Sequence, residues 1–137
     1  MLRFETTLGD FTVELFDKEA PRTVANFLKY VEDQFFDGTI FHRVVPGFVA
    51  QAGCPRGDGF GGPGRTIRCE TSDLPYERGT LGMALAGKDT GGSQWFLTHR
   101  GTPHLNGKYA VFGAVESGFE ALDALVQGDR IRSVTIE

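Results

Sequence analysis

Arg43 and Gln51 stand inside FHRVVPGFVAQ, otherwise among the most apolar stretches of the chain. A guanidinium is almost never buried without a partner, so Arg43 either belongs to a structural ion pair or faces a cleft where something needs it. The residue type narrows the second possibility. Arginine keeps its proton at any physiological pH and holds several donors in a rigid plane, so it would serve as a fixed donor and not as a general acid. Other chemistries find little apparatus. His42, His99 and His104 share no metal-ligand spacing, Cys54 and Cys69 lack the paired CxxC arrangement of zinc and redox sites, and Ser93 sits in no GxSxG elbow. His42 reads as a hydrogen-bonded core histidine, and both cysteines as reduced thiols.

Two stretches match nucleotide-binding patterns only as strings. GDGFGG (Gly57–Gly62) fits GxGxxG, but that fingerprint requires a helix opening on its last glycine, and Pro63-Gly64 followed by the strand-like Arg65-Thr66-Ile67 does not begin one. GMALAGKD (Gly82–Asp89) departs from GxxxxGK[ST] at its final residue, where Asp89 would set a carboxylate against the phosphates in place of a magnesium-binding hydroxyl. Neither a dinucleotide site nor an ATPase is expected.

The elements that must hold Arg43 and Gln51 follow from periodicity. Phe11, Val13 and Leu15 alternate with Thr12 and Glu14 after a turn at Leu8-Gly9-Asp10, so the chain opens with a hairpin whose first strand is Leu2–Thr6. In APRTVANFLKYVED, Val24, Phe27, Leu28 and Val31 fall at helical spacing and Pro21 suits a first turn. Strand-like segments follow at Thr39–Val45, Phe48–Ala52, Thr80–Ala84, Trp95–Thr98 and Tyr109–Val115. A second helix is expected over FEALDALV, with Phe119, Leu122 and Val126 on one side, and Arg130–Ile136 closes as a strand. About eight strands and two helices indicate an antiparallel sheet closed into a barrel whose open mouths the helices cover. The stretch from Gly53 to Glu70 has little regular pattern, and loops of that length usually carry or support function.

Bulk properties fit this outline. A chain of 137 residues, 40% hydrophobic, suffices for one core, and its 19 glycines, spread through short apolar segments, favour the many tight turns of a β-rich fold. Net charge is -4 with the acidic residues dispersed, which argues against a nucleic-acid surface built on clustered Lys and Arg. MLRFETTLGDF contains no continuous apolar run of the kind a signal peptide or membrane span needs, so a cytoplasmic protein without membrane association is expected.

Taken together, FHRVVPGFVAQ, GMALAG, GGSQWF and HLNGKYAVFG form an ordered series that resembles the cyclophilin family of peptidyl-prolyl cis-trans isomerases over nearly the whole chain. The resemblance implies one domain over residues 1–137, with a closed eight-stranded antiparallel β-barrel capped by two α-helices. It also implies an enzyme needing no metal or cofactor, acting on proline-containing peptides and unfolded protein clients as a monomer. By this resemblance Arg43 is the catalytic arginine and Gln51 the glutamine that orients it. Phe48, Val49, Phe96 and Leu105 match the pocket for the proline ring, and Ala84, Leu85 and Ala86 the edge along which substrate backbone lies. Gln94 and Tyr109 stand at the rim, while Gly59, Ala86, Thr90 and Gly92 border the pocket for residues preceding proline. The chain departs from the commonest pattern at Leu85 for asparagine, Val49 for methionine, Tyr109 for histidine and Phe60 for a small polar residue. His104 replaces the tryptophan associated with tight cyclosporin binding, so that binding is expected to be weak. A proline-peptide reader with little turnover is the alternative, and an interaction barrel without a proline site a third possibility. Retention of Arg43 and Gln51 favours the enzyme, since a reader needs the pocket but not the donor.

Overall fold

The alternation near the N-terminus becomes the hairpin it suggests. In the computed structural model, which describes residues 1–54, 74–84, 93–107 and 109–136, β1 (Leu2–Thr6) pairs antiparallel with β2 (Gly9–Leu15). Leu2 lies opposite Val13 and Phe4 opposite Phe11, and the two phenylalanine rings stack at 4.9 Å. Four apolar side chains therefore enter the core from one face of one ribbon. The first helix, α1 (Pro21–Glu32), begins on its proline, whose missing N–H removes one donor that the first turn would leave unsatisfied. It buries Val24, Phe27, Tyr30 and Val31 along one side.

The remaining strands are β3 (Arg43–Val45), β4 (Val49–Ala52), β5 (Thr80–Met83), β6 (Trp95–Thr98), β7 (Val111–Ser117) and β8 (Ile131–Ile136). A short helix α2 (Phe119–Ala124) precedes β8, and a single 3₁₀ turn spans Pro103–Leu105. All eight strands join one antiparallel sheet in the order β3-β4-β6-β5-β7-β2-β1-β8. Over the described residues the fold is thus mainly β with two α-helices. Its outer strands, β3 and β8, are not ladder partners. An isolated bridge between Ile40 and Arg130 links the segments leading into them, supported by Phe41 N–H donating to Asp129 O and Ile131 N–H to Thr39 O, both at 2.8 Å.

That bridge explains one difference from the periodicity. The strand expected over Thr39–Val45 is divided, because residues 39–41 pair with the stretch before β8 whereas Arg43–Val45 pair with β4. A second difference concerns α2. The chain leaves helical geometry at Leu125, which is extended, so Leu125 turns inward and Val126 is exposed instead of aligning with Phe119 and Leu122.

Trp95 sits at the middle of the main core. Its ring meets Phe4, Phe27, Phe36 and Phe41 edge-on, with centroids 5.2 to 6.2 Å apart, the arrangement that aromatic quadrupoles favour. Cys54 is a buried thiol, while Cys69 and the GDGFGG stretch lie outside the described residues. Among the described residues no helix is long and apolar enough to cross a membrane.

Candidate active site

A β-strand sends successive side chains to opposite faces, and here the two faces do different work. β4 turns Ala50 and Ala52 into the main core, β5 turns Leu81 and Met83, and β6 turns Trp95 and Leu97. The alternate positions Val49 and Phe96 join Tyr76 and Val111 in a second, smaller cluster on the other face. Antiparallel register then aligns one row across four adjacent pairings. Arg43 stands opposite Gln51, Gln51 opposite Phe96, Phe96 opposite Gly82, and Gly82 opposite Val111. A polar donor pair and an apolar ring are thereby set side by side on one surface.

The hairpin turn fixes this register. In Val45-Pro46-Gly47-Phe48 the Phe48 N–H donates to Val45 O at 2.9 Å and Gly47 has φ +73°. Proline followed by a glycine of positive φ is the central pair that a type II turn requires. Val45 then faces Val49, and Arg43 falls opposite Gln51. A one-residue slip would have sent Arg43 to the opposite face from Gln51.

Among the described residues the arginine forms no structural ion pair. Its side chain is exposed, and among the described residues its one polar partner is Gln51, whose Oε1 accepts from Arg43 Nη1 at 3.5 Å, the outer edge of hydrogen-bonding distance. Gln51 in turn donates through Nε2 to Gln94 Oε1 at 3.1 Å. The guanidinium is therefore steered by an amide that is itself held, and no carboxylate among the described residues neutralises it. Beside this chain lies a cleft of about 250 Å³ lined by Arg43, Phe48, Val49, Gln51, Ala84, Phe96, Leu105 and Tyr109.

Three segments complete the walls. The 3₁₀ turn, closed by Leu105 N–H donating to Thr102 O at 2.9 Å, carries Leu105 to the cleft. Tyr109 meets Phe96 edge-on at 5.8 Å, and the exposed His104 ring stacks on Phe48 at 5.5 Å. Of the residues singled out from the sequence, eight line the cleft, Gln94 braces Gln51, and His104 covers Phe48 at the rim. Gly59, Leu85 and Ala86, like Thr90, Gly92 and Phe60, lie outside the described residues.

Sequence reasoning missed Tyr76. Its ring lies behind Phe96, stacked at 5.7 Å, and its hydroxyl donates to the carbonyls of Tyr109 and Ala110. Nothing local in SDLPYERG announces this, because every partner comes from a distant segment.

Comparison with known proteins shows the family to which the chain belongs. Residues 1–137 match the family described as cyclophilin type peptidyl-prolyl cis-trans isomerase/CLD. The chain is 55% identical over 126 residues to peptidyl-prolyl cis-trans isomerase B of Bacillus subtilis, covering 90% of this chain and 88% of that one. It is 51% identical over 134 residues to a peptidyl-prolyl cis-trans isomerase of Synechococcus elongatus, covering 96% and 92%. Its fold superposes with a TM-score of 0.94 on a Cryptosporidium parvum cyclophilin type isomerase crystallised in the presence of the dipeptide Ala-Pro, at 36% identity and covering 99% and 98% of the two chains. The chain belongs to the cyclophilin-type peptidyl-prolyl cis-trans isomerases. It is accordingly an enzyme that interconverts the cis and trans forms of Xaa-Pro bonds.

Proposed function

We propose that isomerisation is carried by Arg43, steered by Gln51 and Gln94, acting on a proline ring held by Phe48, Val49, Phe96 and Leu105. The observation that carries this reading is the row in which Arg43, Gln51 and Phe96 stand opposite one another on adjacent strands. Adjacent strands lie ~4.8 Å apart. A ring resting on Phe96 thus leaves its nitrogen within reach of a long side chain two strands away.

The chemistry follows from amide conjugation. Delocalisation of the nitrogen lone pair into the carbonyl gives the peptide bond a rotation barrier of about 18–20 kcal/mol. In the twisted transition state the lone pair returns to a pyramidal nitrogen that accepts a hydrogen bond, whereas the planar ground state offers almost nothing to accept with. A donor aimed at this nitrogen therefore binds the transition state preferentially. The apolar walls keep water from competing for it. A barrier lowered by about 6–8 kcal/mol corresponds to roughly 10⁴–10⁶-fold acceleration. No covalent step is involved, and Arg43 releases no proton.

Substrate backbone is expected to run along Ala84 and on past Leu85 and Ala86, with Gly59 bordering the adjoining pocket. Titrating ¹⁵N-labelled protein with an Ala-Pro peptide should move the amide resonances of Val49, Gln51, Phe96, Leu105 and Tyr109 most. Shifts concentrated on the α1 side of the sheet would place the substrate elsewhere and refute this assignment.

The same reading extends to the rest of the molecule. The Ile40–Arg130 bridge supports a sheet closed as a barrel, and residues 1–137 are taken as one isomerase domain acting as a cytoplasmic monomer on unfolded clients. His104 bears on cyclosporin. An exposed imidazole on Phe48 supplies less apolar area than an indole would. His104→Trp should tighten cyclosporin binding by roughly tenfold, about 1.4 kcal/mol, with little change in turnover. Equal affinities by calorimetry would show that this position does not govern the ligand.

A further inference from the structure

Gly82 leaves a vacancy in the cross-strand row between Phe96 and Val111, and Tyr76 fills it. A Cβ built on Gly82 would lie 2.5 Å from Phe96 Cζ, 2.6 Å from the Tyr76 hydroxyl and 2.9 Å from Tyr76 Cε1, all closer than real Cβ atoms approach. The slot that a side chain at position 82 would occupy is thus taken by a ring from another segment, lying nearly parallel to Phe96 at 16°. Tyr76 is 2% exposed and tied down at every polar atom of its own. Its N–H donates to Asn106 Oδ1 at 2.8 Å, its carbonyl accepts from Thr102 N–H at 2.8 Å, and its hydroxyl donates to Tyr109 O at 2.9 Å and Ala110 O at 3.2 Å. These partners flank Leu105 and include Tyr109, so one residue ties the Leu105 and Tyr109 walls together through its backbone and hydroxyl while its ring backs Phe96. It does not itself line the cleft.

We infer that Tyr76 is a positioning residue that sets the depth of the proline pocket by backing Phe96, and that Gly82 is required because Tyr76 occupies its side-chain space. A flat ring behind Phe96 restricts that ring to one plane, and close-packed interiors transmit such a constraint with little slack. The hydrogen bonds described for Tyr76 run to Thr102, Asn106, Tyr109 and Ala110, whereas on the donor side Arg43 is bonded to Gln51 and Gln51 to Gln94. Loss of Tyr76 should therefore weaken substrate binding more than turnover.

This inference rests on the assignment of the cleft to the proline ring, and kinetics on an Ala-Pro peptide separate the two. Tyr76→Leu is expected to raise KM about 5–10-fold with kcat within about twofold, the pattern of lost uniform binding. Gly82→Ala should lower kcat/KM about tenfold, because its methyl pushes Phe96 toward the cleft, yet by less than about twofold in the Tyr76→Leu background, where Phe96 can retreat. Tyr76→Phe combined with Gly82→Ala should recover part of the loss, since it removes the hydroxyl nearest the new methyl, and it keeps the test open if the leucine variant does not fold. Additive losses in the double variants would overturn the inference. Unchanged kinetics in Phe96→Ala would instead overturn the pocket assignment beneath it.

Discussion

Replacing Arg43 by lysine should abolish most of the catalysis, nearly as completely as replacing it by alanine. Lysine keeps the positive charge, but its ammonium is a strongly hydrated point donor on a flexible stem and cannot offer Gln51 a planar fork to hold. Arg43 has no carboxylate partner among the described residues and is steered by one amide contact of 3.5 Å, so its precision depends on guanidinium geometry. Both variants should lose about 10²–10³-fold in kcat/KM, the scale seen when one preorganised donor is removed. Peptide affinity should change little, because Phe48, Val49, Phe96 and Leu105 still line the cleft. Stability should also hold, since no buried ion is left unpaired. Exchange spectroscopy on an Ala-Pro peptide gives the rate and calorimetry the affinity. Near-normal turnover in Arg43→Lys would show that charge alone suffices. An affinity loss in step with the rate would mean that Arg43 binds the ground state as strongly as the transition state.

Much of this arrangement was legible in local sequence because it is written at short range. The type II turn at Pro46-Gly47 lies between the two partners it aligns, so once the hairpin is recognised only its register remains to be fixed. Strands flanking the cleft, such as Trp95–Thr98, carry enough β-branched and aromatic residues to declare themselves. The division of Thr39–Val45 was not legible. Its first half pairs with a segment far away in sequence, Ile40 bridging to Arg130, and periodicity does not say which neighbour a strand will choose. Tyr76 was hidden for the same reason. Its role depends on a space above Gly82 that exists only once β5, β6 and β7 are assembled in register. Val126 illustrates a different gap: a helix period extended one turn too far puts the wrong residue inside, and Leu125 takes the buried place.

Trp95 and Phe96 are adjacent in sequence but lie on opposite faces of β6, so truncating each should separate stability from activity. Trp95 is fully buried among Phe4, Phe27, Phe36 and Phe41. Trp95→Ala should cost about 3–5 kcal/mol through lost transfer energy and the cavity left behind. That is a large share of the roughly 5–15 kcal/mol that stabilises a typical domain. Trp95→Phe should cost much less, because the indole Nε1 has no hydrogen-bond partner among the described residues and its removal relieves a buried donor. Phe96 packs instead on Tyr76, Tyr109 and the cleft. Phe96→Ala should lower kcat/KM by about 10–10²-fold if, as proposed, it removes the surface that holds the proline ring. Its effect on stability should be smaller than that of Trp95→Ala, since the second cluster is smaller and borders an open cleft. Urea titration reads the first quantity, and exchange kinetics at a urea-free temperature where both variants remain folded read the second. Per folded molecule, Trp95→Ala should keep activity within about threefold of the parent, because its ring packs in the main core on Phe4, Phe27, Phe36 and Phe41, on the other face of β6 from Phe96. Equal activity losses in the two variants would show that the core and the site are mechanically one unit, and that alternation along β6 does not divide their labour.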